Sequence, residues 1–464
     1  MKFTKMDLNL WNKIEKFDLV FPNSEYGFAT RLSFENNWTE HFTLKAIEEY
    51  KKFMFLAAIS NQMVSPSEIV DIVWHQHLIF TESYKEFCLL LGKKIEHIPS
   101  THNKNEKETF LRAKSETKKL YEQNFGVQPD EFWIKKTFSE SINLEKSNID
   151  FTVVSVIAII TTLLLVVVFR FILYDYYVSI QNPTFGLLFF IISGVTFSGL
   201  VFYNGIELKK IIKRLTPNLI IDNLTPKELI LLKTNDVKSL IHGYVNYLVL
   251  EKKLKVNKEN NTLQLISNDL EIPNPSFKVI LDCFQDDKPM KYKDLVNKLV
   301  HIPIINNNIQ GVLMISDKIT QSKNIKRLFL INISILAFVL SLGLTRALIG
   351  YVRDKQIAYI LLLNLIFFII SYLYLNYLVT KSTKKLIPNY FENEIISKNN
   401  ENFTSWEWRY FIYGTALLSV TFKSVANSYI TNDSSNGFGG TSCGSSCGSS
   451  CGGGCGGGCG GCGS

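Results

Sequence analysis

The chain reads as mainly α-helical: a helical soluble N-terminal domain, a four-span α-helical membrane region and a small winged-helix-like α+β cytoplasmic insert. Three observations predict this class. Residues 151–169 read FTVVSVIAIITTLLLVVVF without one charged side chain. A bilayer core roughly 30 Å thick needs about 20 apolar residues in helical form, and this run meets that length. Further apolar runs follow near 184–206, 328–349 and 357–380. Between the second and third runs lie about 120 residues of ordinary globular composition, enough for a small domain.

The N-terminal part, 1–148, carries helical periodicity and no competing alternation. Helices are expected near 7–16, 44–62, 66–91, 107–125 and 130–140. The third is the best marked. Ser65-Pro66-Ser67-Glu68 supplies a cap and an early acid, and Gly92 stops it. The N-terminus, MKFTKMDLNLWNKIEKFD, is polar and carries acids, so no cleavable leader is expected.

The spans divide into two hairpins, 149–206 and 327–380, and the basic residues orient them. Lys135, Lys136 and Lys146 precede the first span, and Lys209, Lys210, Lys213 and Arg214 follow the second. Lys323, Lys326 and Arg327 precede the third, and Lys381, Lys384 and Lys385 follow the fourth. Basic residues collect on the cytoplasmic side. The expectation is a multi-pass protein of a bacterial inner (plasma) membrane, with both termini and the 207–326 insert cytoplasmic. Arg353 and Lys355 in the second short loop oppose this assignment.

Within the insert, Thr225-Pro226-Lys227-Glu228 is a helix start of the capping-box type. A second helix fits 236–250. Leu254-Lys255-Val256 and Leu263-Gln264-Leu265 then alternate around a polar turn, which is a hairpin signal. Helix, helix and hairpin suit a winged-helix-like unit. Such units bind DNA or proteins, but here Glu251, Glu259, Asp286 and Asp287 balance the lysines. The expected partners are therefore the lipid bilayer and a protein bound through the cytoplasmic domains, not nucleic acid.

Residues 381–430 form a juxtamembrane amphipathic segment. Trp406, Trp408, Arg409 and Tyr410 suit an interfacial helix, or equally one packed on the insert. From 431 to 464 the chain is Gly/Cys/Ser-rich and has almost no apolar side chains to bury, so it is expected to be disordered. Its thiols, Cys443, Cys447, Cys451, Cys455, Cys459 and Cys462, recur at short spacing and suit soft metals. In the cytoplasm they stay reduced.

The chemistry concentrates at Asp71-Ile72-Val73-Trp74-His75-Gln76-His77. Four of the seven histidines lie between 75 and 102, with Cys88 among them. Histidine, cysteine and carboxylate together suit zinc or another soft divalent metal. Candidate ligands are Asp71, His75, His77, Cys88 and His97. Helical neighbours two apart do not share a face. Asp71 with His75 is therefore one face, and His77 with Thr81, Tyr84 and Cys88 another. His97 and His102 follow the helix stop and could fold onto either. The same residues would also serve as a semi-polar core.

This segment resembles the glycine-rich domain-containing protein-like family, best known from plants. The resemblance rests on Asp71, Trp74, His75, His77, Tyr84, Cys88, His97 and Pro99, in a D-x-x-W-H-x-H…Y…C…H-x-P order. It implies that these residues act as one unit and implies no reaction. The remainder resembles an uncharacterised bacterial multi-span membrane protein family with a Gly/Cys-rich tail. That likeness is carried by LTPKELILL, by the basic stretch after the second span and by Thr345-Arg346…Gly350…Lys355-Gln356. The expected function is a membrane-anchored interaction or scaffold protein with metal bound at the His/Cys segment or the tail. The alternative is a membrane-tethered metal-dependent enzyme using Asp71, His75 and His77. Transport is a weaker reading, because the spans hold almost no ionisable residue.

Overall fold

A computed structural model describes residues 5–19, 26–98, 107–267, 274–284, 288–397, 403, 405–434 and 461–463. It divides into two units. One comprises residues 1–142, 223–314 and 399–464; the other comprises 143–222 and 315–398.

The first unit begins with helices α1 (Lys5–Lys16), α2 (Phe28–Asn36), α3 (Glu40–Ile59), α4 (Glu68–Ile79) and α5 (Thr81–Leu91). A short strand, β1 (Glu96–Ile98), and the long helix α6 (Lys107–Phe125) complete this region. The single helix expected over 66–91 is two helices. Phe80, at φ −88° and ψ 66°, leaves the helical region and separates α4 from α5. No Gly or Pro marks that break, so propensity could not reveal it. Ser67 caps α4 by accepting the Val70 N–H, and Gly92 at φ +72° closes α5 as the sequence indicated. The helix expected over 130–140 is likewise two single turns, Asp130–Trp133 and Phe138–Ser141.

The core of this region is aromatic. Phe42 packs at 4.7 Å on Phe132 and at 5.2 Å on Trp38, and Trp74, Tyr50, Phe53 and Phe87 are fully enclosed. One acid lies inside it. Glu49 accepts from Tyr121 Oη at 2.8 Å, Trp133 Nε1 at 2.7 Å and Lys52 Nζ at 2.7 Å. A buried carboxylate is tolerated only when so partnered. Glu49 stands at the same helical spacing as Phe42, Ala46 and Phe53, an acid in an apolar stripe that is legible in retrospect.

The insert has the predicted helices, Pro226–Thr234 and Val237–Leu250, and the predicted hairpin. Strand β2 (Leu254–Asn257) pairs antiparallel with β3 (Thr262–Leu265), Leu254 opposite Leu265, and β4 (Met290–Lys291) adds to β3. Thr225 and Glu228 form the capping box. Glu228 also accepts the Glu40 N–H at 2.7 Å, and Asn307 Nδ2 donates to Ser33 Oγ at 3.2 Å. These bonds join insert and N-terminal helices in one unit. Helix Trp406–Tyr413 packs there too: Trp406 stacks on Tyr247 at 4.8 Å, and Tyr410 Oη donates to Ser239 O. Of the two alternatives for this aromatic segment, the structure shows the packed helix. The final helix, Val420–Ser434, continues past residue 430, and β5 (Gly461–Gly463) pairs with β1. Cys462 is opposite His97 in that backbone register. Cys443, Cys447, Cys451, Cys455 and Cys459, with the rest of the tail between 435 and 460, lie outside the described residues.

Among the described residues, four helices are long and apolar enough to cross a membrane. They span Phe151–Ile172, Asn182–Leu215, Lys323–Val352 and Ala358–Thr383. The second and third extend beyond the expected apolar runs, because lysine and arginine sustain a helix after hydrophobicity ends. The first helix turns Ile157, Ile160, Leu164 and Phe171 outward, a surface suited to hydrocarbon. A short helix, Tyr174–Ser179, precedes the second span helix.

Several polar groups between these helices find partners. The Asn204 and Asn332 amides bond reciprocally at 2.8–2.9 Å, and Asn204 Nδ2 also donates to Tyr374 Oη at 2.6 Å. Arg346 donates to the carbonyls of Tyr177 and Ile180 and to Asn182 Oδ1. It thus holds the turn of the first hairpin against the end of the third helix. This accounts for a basic residue near a short loop without an ion pathway.

The reciprocal amide pair yields a direct expectation. Asn204→Ala and Asn332→Ala should each lower the midpoint of unfolding of the detergent-solubilised chain. A double-mutant cycle should show coupling of about 0.5–2 kcal/mol. Strict additivity would contradict a direct bond.

Candidate metal centre

Two elements meet around Asp71. Helix α4 places Asp71 and His75 one turn apart on one face. Strand β1 brings His97 to the same face across the turn after Gly92. His97 Nε2 lies 3.0 Å from Asp71 Oδ1, and His75 Nε2 lies 3.4 Å from Asp71 Oδ2. The three donor atoms lie within 4.8 Å of one another. Donors about 2.0–2.1 Å from a tetrahedral metal stand about 3.4 Å apart, so the spacing needs little adjustment.

The position of β1 is set by a hydrogen-bond relay. Trp74 Nε1 donates to Tyr84 Oη at 3.1 Å, and Tyr84 Oη donates to the Ile95 carbonyl. Trp74 also meets the His97 ring edge-on at 4.5 Å, and the His75 and His97 rings are 4.4 Å apart. Asp71 and His97 side chains are 15% and 10% exposed, whereas His75 is 59% exposed. The site is thus a partly shielded carboxylate and imidazole with a second imidazole at the mouth. Orienting a ligand histidine through fixed neighbours is the usual support of a metal centre.

His77 is elsewhere. It is fully enclosed, with Nδ1 2.8 Å from Tyr50 Oη and Nε2 3.1 Å from Ser83 Oγ. Phe28, Tyr84 and Phe87 surround its ring. Both nitrogens are engaged, so His77 does not join the cluster expected of it. The reason is the helical phase: two residues from His75, it points into the core. Cys88 is a buried free thiol and is not part of the Asp71 group. His102 and Pro99 lie outside the described residues. Tyr50 and Ser83, the partners of His77, carry no sequence signal; only the tertiary fold reveals them.

The structure thus defines a class: a helical chain with four helices fit to cross a membrane and, in its other unit, an Asp–His–His cluster. The family described as UCP032817-like matches residues 30–121, which contain the whole cluster and its supporting relay. No curated protein and no solved structure matches the chain.

Burial of His77 lowers its pKa to about 4, because the enclosed site disfavours the imidazolium. The unfolded chain binds this proton near pH 6.5 and the folded chain only near pH 4. Stability attributable to His77 is therefore intact above pH 6.5 and falls as pH drops to 4. One pKa unit is about 1.4 kcal/mol, so the loss amounts to a few kcal/mol. Burial moves Glu228 the other way, up to about 7, so the comparison must be between variants. Urea unfolding of wild type and His77→Gln from pH 7.5 to 4 should show a steeper acid loss in wild type. Parallel profiles would contradict the assignment.

Proposed function

We propose that this chain is a multi-pass membrane protein whose cytoplasmic unit binds a divalent metal of the zinc class through Asp71, His75 and His97. The single observation that carries this reading is the convergence of three donor atoms from two elements separated by a turn. Two imidazoles and a carboxylate suit late first-row divalent metals. Three protein donors with an exposed His75 leave a coordination position open to solvent.

The orientation follows from the lysines and arginines at the span ends, with both termini and the insert cytoplasmic, in a bacterial inner membrane. The helix, helix and hairpin of the insert support a winged-helix-like module. Its capping-box acid, bonded to the start of α3, supports a role in assembling the cytoplasmic unit rather than in reading DNA. In this reading the protein is a membrane-anchored interaction or scaffold protein, and the metal holds β1 on α4. The resemblances to the glycine-rich domain-containing protein-like family and to the bacterial multi-span family with a Gly/Cys-rich tail belong to this proposal. The shared packing of Asp71, Trp74, His75, Tyr84 and His97 supports the first.

A second reading, a membrane-tethered metal-dependent enzyme, is favoured by the open position. A metal held there by Asp71, His75 and His97 would supply an activated water. His77 would take no part.

Metal analysis of the full chain, purified in detergent without chelator, tests the proposal. About one equivalent of metal should copurify with wild type and with His77→Gln. His75→Ala and His97→Ala should reduce it at least tenfold. Wild-type protein free of stoichiometric metal after incubation with zinc and desalting would overturn it.

A further inference from the structure

The apolar helices end in a second feature that metal chemistry does not use. A cavity of about 260 Å³ opens between the helices Asn182–Leu215 and Lys323–Val352, within the second unit. Lys210, Arg214 and Arg327 line it, with Glu207, Tyr203 and Asn324. Three cations and one acid leave an excess of positive charge. Glu207 is already satisfied by Lys210 Nζ at 2.7 Å, and Arg214 Nη1 reaches Asn324 Oδ1 at 3.4 Å. The third helix begins here, capped by Ser322, so its positive end adds to the field. The three cationic side chains are exposed, while Leu328 and Ile211, which also line the cavity, are buried.

We propose that this cavity binds the phosphate of an anionic phospholipid headgroup. The proposal rests on the membrane reading above. The depth of the site favours a lipid over a soluble phosphate. Tyr203 falls within the charge-free run, and Lys210 and Arg214 lie one and two turns beyond its end, where headgroup phosphates meet a span. Arginine forks match phosphate oxygens. Positive charge spread along loops would orient the chain equally well. Orientation alone does not require three cations on two helices around one concavity.

The test uses the full chain in neutral detergent. Native mass spectrometry and thermal melts are run with phosphatidylglycerol, cardiolipin, phosphatidylcholine and soluble glycerol phosphate. Anionic lipid should remain bound at about one molecule per chain and raise the midpoint, while phosphatidylcholine and glycerol phosphate should not. Arg214→Gln with Arg327→Gln should weaken retention about thirtyfold. Arg214→Lys with Arg327→Lys, which keeps the charge, should retain most of it and reports that the site still folds. Equal retention of neutral and anionic lipid, or unchanged retention in the Gln pair, would overturn the proposal. So would stabilisation by glycerol phosphate equal to that by lipid, which would mark a soluble-anion site. Carbonate extraction of membranes separates the two readings. Both variants should stay in the pellet, and their release together with wild type would remove the membrane reading itself.

Discussion

Polar groups withdrawn from water must find partners, and both units of this chain are arranged around that constraint. In the apolar helices the backbone is satisfied by the helix itself, and several buried polar side chains bond to one another or to backbone carbonyls. Asn204 and Asn332 exchange amide bonds, and Arg346 is spent on two carbonyls and an amide oxygen. In the other unit Glu49 gathers a tyrosine, a tryptophan and a lysine. His77 is held between Tyr50 and Ser83, and Glu228 closes a capping box while accepting from Glu40. Each is a polar group with its hydrogen-bonding capacity used inside the fold.

The Asp71 cluster differs in kind. Its carboxylate faces two imidazoles, one nearly buried and one open to solvent. The rest of α4, helix α5, a left-handed glycine and a three-residue strand bring His97 there, and a Trp–Tyr–carbonyl relay fixes the strand. Support of this kind is what a ligand set needs if its donors are to be held in place. The family match over residues 30–121 encloses this arrangement, while the apolar helices lie outside it. The cluster and the apolar helices are thus separate parts of the chain.

Much of this was legible in the sequence, for identifiable reasons. Apolar length alone disclosed the four helices long enough to cross a membrane, because hydrocarbon thickness admits few alternatives. The capping signals at Thr225 and Gly92 and the hairpin at 254–265 were local and read correctly. Helical phase alone separates His75 from His77. What could not be read was nonlocal. The break at Phe80, whose ring meets Phe28 edge-on, carries no breaker residue. The choice of His97 as the partner of Asp71 depends on how the turn after Gly92 returns. The union of the insert with the N-terminal helices depends on Glu228 meeting the Glu40 amide, a contact between residues 188 apart.

X-ray absorption at the zinc edge of the purified, zinc-loaded full chain tests the central claim most directly, since it reports the donor atoms themselves. The account predicts nitrogen and oxygen scatterers near 2.0–2.1 Å with the outer-shell signature of two imidazoles. That signature should be lost in the His97→Ala protein and kept in His77→Gln. A first shell dominated by sulfur near 2.3 Å would contradict the account and place the metal on cysteine instead.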